Sequence, residues 1–339
     1  MRREIVLAVV VAGAGAGAVA GGAGAPAQGT LIVTNKGDRT LGIIDPAEGK
    51  QVAALEQSGV TGHELIASPD GRTAYVPIYG DSGVGRPGSD GQTIDVFDLV
   101  ARRRTATIDL GRPERPHDPK FGPDGRLYVT TELTQTITVI DPKTNKVVDQ
   151  IPTGQPESHM LLLARDGKRA FTSNVHAGTV SAIDLKAKKV TTVIPVAKIA
   201  QRLAFSTDEK SVFTADQDEP RLAVIDAVAN KVSRYVAVPG IVYGTGATPD
   251  GRYLVLTLIK DNKVARLDLK TWEVGPALDV PKAPQEVLVR PDGKVAYVSC
   301  DASAKVAEID LVAWKVVRLI DAGRTVDGLA WAVAPAASR

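Results

Sequence analysis

The chain has 339 residues, with 41 basic and 39 acidic side chains and a formal net charge of +2. This near balance argues against a nucleic-acid-binding protein, which would need a basic excess on one face. Hydrophobic residues make up 44% of the chain and aromatic residues only 4%, which indicates a globular fold with an aliphatic core. The single cysteine, Cys300, excludes an intrachain disulfide, and we expect it to be buried.

Residues 1–27 have the pattern of a cleavable secretory signal peptide. Arg2 and Arg3 precede an apolar run at residues 5–20, and Ala25-Pro26-Ala27 supplies the small residues of a cleavage site. The competing interpretation is a membrane anchor, but the run is shorter than the ~20 residues needed to span a bilayer. We therefore expect a mature chain that is periplasmic or secreted, without stable insertion in a membrane.

A repeat of about 42 residues organises the chain after this segment. A hydrophobic residue followed by aspartate recurs seven times, and the aspartates are spaced 53, 43, 43, 42, 42 and 42 residues apart. They are Asp45, Asp98, Asp141, Asp184, Asp226, Asp268 and Asp310. Turn signals such as Pro123-Asp124-Gly125 precede most copies, and short β-rich runs lie on either side of them. Such a unit has room for four strands, which is typical of a propeller blade.

We therefore predict an all-β fold, a seven-bladed β-propeller of four-stranded antiparallel blades that forms one domain over residues 28–339. The alternative, a β-sandwich, would not keep so constant a spacing. The mature chain opens in the middle of a unit, and residues 326–333 look like a lone innermost strand. We expect this C-terminal strand to pair with the N-terminal strands and close the ring.

The repeat resembles that of YVTN-type β-propeller proteins. The resemblance rests on Tyr128-Val129-Thr130-Thr131 and on similar motifs at residues 31–35 and 297–300. It covers about residues 30–335 and implies the propeller fold. Proteins similar in this way include extracytoplasmic binding proteins, surface-layer proteins, lactonase-like enzymes and the haem-binding propeller of nitrite reductases, so the resemblance does not select one function.

Three of the four histidines occupy one position in consecutive repeats. His63, His117 and His159 each lie at the start of a predicted innermost strand, where the top of a propeller opens into its central funnel. We predict that the three imidazoles converge there and that, with Glu132, they form a catalytic site. Imidazole carries protons near neutral pH and also ligates metals, so the same histidines are candidate ligands of a divalent metal, Zn, Cu, Fe or Ca.

Six further residues are predicted to line the funnel and bind a small polar or anionic ligand. They lie near the starts of first strands or the ends of second strands: Tyr79, His176, Arg202, Asp216, Tyr243 and Gln285. Arg202 is placed in the register of the histidines and is expected to clamp an anion. The longest repeat interval contains a Gly-rich stretch at residues 80–91, which is expected to form a loop on the same face beside His63.

Several interpretations of the histidines stay open at this point. They are residues inherited through repetition with a structural role, a small-molecule site, or a metal site. As an enzyme the protein would be a hydrolase or lyase, with a lactonase as one candidate, using metal-assisted or general acid–base chemistry. The alternative function is a non-enzymatic scaffold that binds a protein partner. In each case we expect a monomer.

Overall fold

The computed structural model describes residues 28–334. The predicted signal peptide lies outside these residues. No helix within residues 28–334 is both long enough and apolar enough to cross a membrane. The described residues form β-strands that are joined mostly by tight turns, with two short 3-10 helices at Lys36–Asp38 and Asp301–Ser303.

The strands form seven four-stranded antiparallel sheets, which correspond to the seven predicted blades. The first blade contains β1 (Gly29–Asn35), β2 (Thr40–Asp45) and β3 (Lys50–Glu56), with the C-terminal strand β28 (Val326–Val333) as its innermost strand. The second contains β4 (Ile66–Ala67), β5 (Thr73–Gly80), β6 (Asp90–Asp98) and β7 (Arg103–Asp109). The third contains β8 (Pro116–Phe121), β9 (Leu127–Thr131), β10 (Thr136–Asp141) and β11 (Lys146–Pro152).

The remaining four blades repeat this order. The fourth contains β12 (Ser158–Leu163), β13 (Arg169–Asn174), β14 (Thr179–Asp184) and β15 (Lys189–Pro195). The fifth contains β16 (Ala200–Phe205), β17 (Ser211–Asp216), β18 (Arg221–Asp226) and β19 (Lys231–Ala237). The sixth contains β20 (Val242–Ala247), β21 (Tyr253–Leu258), β22 (Lys263–Asp268) and β23 (Leu278–Asp279), and the seventh contains β24 (Pro284–Val289), β25 (Val295–Cys300), β26 (Lys305–Asp310) and β27 (Lys315–Asp321).

The C-terminal strand closes the ring. β28 pairs antiparallel with β1, in a register that joins Ile32 to Ala330 and Val33 to Leu329. This pairing satisfies backbone groups that an open array would leave at an exposed edge. The predicted fold, a seven-bladed propeller closed by its C-terminal strand, is confirmed.

The core lies between the blades. Aliphatic side chains from adjacent sheets interdigitate, as where Phe213 and Leu222 of the fifth blade share one buried cluster with Leu256 of the sixth. Each such side chain stabilises the fold by about 1.5–3 kcal/mol when fully buried. Cys300 is buried between the sixth and seventh blades, and this burial raises the pKa of its thiol to about 12.

A β-bulge in the innermost strands determines which side chains reach the channel. In six of the seven blades, ladder pairing with the second strand is interrupted between the first and fourth residues, as between Ser158 and Leu161. The two residues within the bulge are therefore freed from the ladder. A hydroxyl group holds them: Thr130 Oγ1 accepts the N–H of Asp118 at 3.0 Å and donates to the carbonyl of His159 in the next blade at 2.6 Å.

Candidate functional site

The first bulge residues of the innermost strands form one ring around the central channel. In the fourth blade the ladder pair directly before the bulge is Ser158 with Asn174, and in the fifth blade it is Ala200 with Asp216. The other blades follow the same alignment, so the next residue of each innermost strand is the first bulge residue. The ring therefore consists of His63, His117, His159, Gln201, Tyr243, Gln285 and Asp327.

Gln201 takes the place in this ring that the sequence analysis assigned to Arg202. That assignment was wrong by one residue, because Ala200 is the first paired residue of β16 and Arg202 is therefore the third residue. Arg202 lies in the next layer along the channel, with Glu64 and Asp118. The repeat spacing contained the signal, since Gln201 follows His159 by the same 42 residues that separate His159 from His117.

The three imidazoles converge, as the sequence predicted. The rings of His117 and His159 stack with their centroids 3.6 Å apart and an angle of 27° between their planes. His63 meets His117 edge-on at 5.6 Å, and the ring of Tyr79 lies 4.8, 5.1 and 5.9 Å from His63, His117 and His159. His117 and His159 are 3% and 2% exposed, whereas His63 is only half-buried.

Glu132 joins this cluster from the end of the neighbouring second strand. Its Oε2 accepts a hydrogen bond from the Tyr79 hydroxyl at 2.6 Å, and its Oε1 accepts one from Arg115 Nη1 at 3.0 Å. His159 Nδ1 lies 3.5 Å from Oε2, longer than an ordinary hydrogen bond. Burial opposes ionisation, but His159, Tyr79 and Arg115 together lower the pKa of Glu132 to about 2. The group is therefore a carboxylate at neutral pH.

Arg115 connects this carboxylate to the Gly-rich loop. Its Nε donates to Asp90 Oδ1 and its Nη2 to the carbonyl of Arg86, each at 2.6 Å. The Gly85 N–H faces Glu132 Oε1 at 3.5 Å. The loop therefore lies over Glu132, on the histidine side of the channel.

The loop also contacts the fourth blade. Gly85 has a positive φ of 65°, and a side chain there would collide with Glu157. Glu157 in turn bonds His176 through Nδ1 at 2.6 Å, and the His176 side chain is 52% exposed. A cleft of about 370 Å³ opens between the loop and this rim, lined by Arg86, Glu132 and Glu157 among others.

A buried ion cluster lies one layer further along the channel. Arg202 Nη1 is 2.8 Å from Glu64 Oε1 and 3.9 Å from Glu286 Oε1, and its Nη2 is 3.2 Å from Asp327 Oδ1. The side chain thus reaches from the fifth blade to the first, second and seventh. An anion clamped by Arg202, as the sequence analysis expected, would have to displace one of these carboxylates.

The acids of this cluster differ in their pKa. Burial raises the pKa of Glu64 well above its usual value and that of Glu286 to about 7. At Asp327 burial acts in the same direction, but Lys36 and Arg202 outweigh it and lower the pKa. Lys36 Nζ lies 2.9 Å from Asp327 Oδ2, so Asp327 is held as a carboxylate between two cations.

His63 and His117 are neutral at physiological pH. Burial lowers the pKa of His63 to about 3 and that of His117 well below its usual range. Lys36, Arg202 and the neighbouring histidines act in the same direction at both residues. A neutral imidazole offers one hydrogen-bond donor and one acceptor.

Several polar atoms at the ring have no hydrogen-bond partner among residues 28–334. They are Nδ1 of His117, Nδ1 of His159 and Oε1 of Gln285. Buried polar atoms in proteins are normally satisfied, so an orphaned atom indicates an additional group that satisfies it. These atoms make the ring a candidate ligand site.

The other predicted ligand residues are divided between the channel and the rim. Tyr243 and Gln285 belong to the ring, and the Tyr243 ring centroid lies 5.5 Å from Arg202 Cζ. Asp216 hydrogen-bonds within its own blade, to Arg221 and to the N–H groups of Lys198 and Asp218. The ligand roles of these residues and of His176 stay predictions.

The arrangement of the imidazoles does not fit the predicted metal site. Among the described residues, no group of three or more His, Cys, Asp or Glu side chains could hold a metal ion. Nitrogen lone pairs lie in the plane of each ring, so the stacked rings of His117 and His159 do not aim at one ion between them. A metal role for the three histidines would require the rings to turn.

Comparison with known proteins supports the fold. Residues 243–338 match the YNCE-like beta-propeller family. A hydrazine synthase of Kuenenia stuttgartiensis superposes with a TM-score of 0.72 at 20% identity, covering 83% of this chain and 92% of that one. A functionally unknown protein of Desulfotomaculum acetoxidans DSM 771 gives 0.73 at 12% identity, covering 91% and 100%.

A third solved structure is the dihydro-heme d1 dehydrogenase NirN in complex with DHE. It gives a TM-score of 0.66 at 15% identity, covering 89% of this chain and 74% of that one. No curated protein matches the chain in sequence. Likenesses at these identities show the fold alone. The family match over residues 243–338 and the structural neighbours support a β-propeller fold.

Proposed function

We propose that this protein binds a small polar ligand with an anionic or strongly accepting oxygen at the histidine side of the channel mouth. The observation that carries the proposal is the buried His117–His159 stack, in which Nδ1 of His117 has no partner among the described residues. Half-buried His63, Tyr243 and Gln285 lie on the same ring, so solvent reaches this layer of the channel.

Two cations contribute positive potential at the ring, and the Asp327 carboxylate opposes them at His63. Lys36 and Arg202 both lower the pKa of His63 and of His117, so both place positive potential at these imidazoles. An anion at the ring would be stabilised by the same potential, and it would raise the pKa of the histidine that it contacts. Ligand binding is therefore coupled to proton uptake.

The same ring supplies a base for acid–base hydrolysis or elimination, the reaction class expected from the sequence. A neutral imidazole with a free nitrogen accepts a proton from a bound ligand or from water. The Glu132 carboxylate, 3.5 Å from His159, would stabilise the positive charge that develops on the stack. The proposal uses no metal.

We also propose that the protein acts outside the cytoplasm, on the strength of the signal pattern in residues 1–27. N-terminal sequencing of the protein from fractionated cells tests this. A mature chain that begins at Gln28 in the exported fraction supports the proposal, and a chain that keeps Met1 in the cytosol contradicts it.

The ligand proposal is tested with acetate and acetamide, a pair of similar shape that differs in charge. Each is titrated into ¹⁵N-labelled protein while the imidazole nitrogens are observed by NMR. We expect acetate to shift the His117 signals and to be bound with proton uptake, and acetamide to bind more weakly.

Two variants provide the comparison. His117→Phe keeps a planar ring in the stack but removes both nitrogens, so acetate should no longer bind. Tyr235→Phe changes an exposed aromatic ring in the outer strand β19 and should leave the titration unaltered. No response of His117 to acetate, or an equal response in both variants, contradicts the proposal.

A further inference from the structure

Two glutamines continue the hydrogen-bond network of the stack away from Glu132. Gln201 Nε2 lies 3.2 Å from His159 Nε2, and Gln201 Oε1 accepts a hydrogen bond from Gln217 Nε2 at 2.6 Å. Gln201 belongs to the ring of first bulge residues, and Gln217 directly follows the second strand of the same blade.

We propose that Gln217 and Gln201 fix His159 as the tautomer that carries its proton on Nδ1. His159 is then a positioning residue that orients His117, and His117 is the ring that contacts the ligand. The assignment of the tautomer rests on the hydrogen-bond network alone. The role of His117 as the ring that contacts the ligand rests on the proposed function.

The tautomer follows from the two ends of the network. Glu132 is ionised and only accepts, so the nitrogen that faces it, Nδ1 of His159, carries the proton. In the proposed tautomer, with its single proton on Nδ1, the lone pair lies on Nε2, which must face a donor. The Gln201 amide supplies that donor when its oxygen accepts from Gln217, so both ends require the same arrangement.

The network also explains why His117 and His159 differ. Nδ1 of His159 makes no ordinary hydrogen bond either, but it lies 3.5 Å from the Glu132 carboxylate, and Nε2 of the same ring lies 3.2 Å from Gln201 Nε2. Nδ1 of His117 faces no such partner among residues 28–334. The stacking contact at 3.6 Å transmits the fixed orientation of His159 to His117. A ligand oxygen is therefore expected at His117 and not at His159.

The experiment is ¹⁵N NMR of the imidazole nitrogens at neutral pH in the wild-type protein. We expect a protonated, pyrrole-type Nδ1 and an unprotonated, pyridine-type Nε2 for His159. In Gln201→Glu the carboxylate only accepts, so Nε2 should gain a proton, either through the other tautomer or through a doubly protonated ring. Gln150→Glu, the same change at an exposed position of the outer strand β11, should leave the His159 pattern unaltered.

A pyridine-type Nδ1 of His159 in the wild type, or equal spectra in Gln201→Glu and the wild type, overturns the inference. The role in positioning is read from Gln217→Leu, which should weaken acetate binding several-fold while its folded NMR spectrum persists; unaltered acetate affinity overturns that role. Wild-type protein that shows the expected tautomer but no acetate binding contradicts the proposed function alone. The two failures are therefore distinguishable.

Discussion

At the scale of single residues, the channel combines groups that are stable only in one charge state. His117 and His159 stack at 3.6 Å, and two positive charges at that distance would repel each other strongly in a buried environment. The low pKa of His117 expresses this cost together with that of burial. Acidification should therefore act on the fold through the histidine stack.

His117→Asn tests this pH dependence. The folded-state pKa of His117 lies below its unfolded value of about 6.5, so the unfolded chain binds the proton first as the pH falls. Its contribution is present above about pH 6.5 and is lost on acidification. Between pH 7 and pH 5 the wild type should lose up to about 2 kcal/mol more unfolding free energy than the variant. Urea unfolding at both pH values measures the difference, and parallel losses would refute it.

Arg202 should be a large contributor to stability. Arg202→Met leaves the buried Glu64 without its cation and Asp327 with Lys36 alone, at a cost of about 3–5 kcal/mol. Arg165→Met removes a 72% exposed arginine from a surface pair with Glu209, which should cost less than about 1 kcal/mol. Denaturant unfolding compares the two, and similar costs would show that the channel cluster does not stabilise the fold.

At the scale of elements, the bulged innermost strands depend on hydroxyl groups that link neighbouring blades. Thr257 repeats the arrangement of Thr130, accepting the N–H of Gly244 at 2.6 Å and donating to the carbonyl of Gln285 in the next blade at 2.9 Å. The threonine of the YVTN-type motif thus has a structural role in holding the ring residues. The fold and the site depend on the same side chains.

Thr130→Val should both destabilise the protein and disturb the stack. The change leaves the Asp118 N–H and the His159 carbonyl without their partner, which costs about 1–3 kcal/mol. Thr191→Val, which removes a hydrogen bond to Ala182 in an outer strand, should cost less than about 1 kcal/mol. Equal costs, or an unshifted His159 NMR signal in Thr130→Val, would count against this role.

The sequence predicts the elements well because one periodic signal determines them. The spacing of the Asp residues and the turn signals anticipated seven four-stranded blades, and the shared register of His63, His117 and His159 anticipated their convergence. Gln201 was also within reach, since strict counting by 42 residues finds it.

The contacts across the channel were beyond prediction because no local pattern encodes them. Arg202 meets Asp327, 125 residues away in the chain, and their pairing depends on which rotamers fit beside Glu64, Glu286 and Lys36. The placement of the Gly-rich loop over Glu132 likewise depends on Arg115, which bonds Arg86 and Asp90 of that loop as well as Glu132. The repeated residues therefore determine the path of the backbone, whereas the side chains that differ between repeats determine the contacts within the candidate site.

At the scale of the whole molecule, the ring is stable because its ends are joined by β28. Truncation after Thr325 would remove this strand together with Asp327, expose the inner edge of β1 and leave Lys36 and Arg202 without the Asp327 carboxylate. We expect this chain to lose cooperative unfolding and to aggregate. Truncation after Ala334 keeps β28 and should behave as the full chain does. Circular dichroism melting and size-exclusion chromatography test both, and a cooperative, monodisperse product of the shorter chain would contradict the account of closure.

The central claim is that the histidine side of the channel is an anion site, and a bromide soak tests it most directly. Anomalous diffraction from crystals of the wild type and of His117→Phe would locate bound bromide. The account predicts a bromide peak within hydrogen-bonding reach of His117 Nδ1 in the wild type and none there in the variant. A wild-type channel mouth without bromide, or the same peak in both crystals, would contradict it.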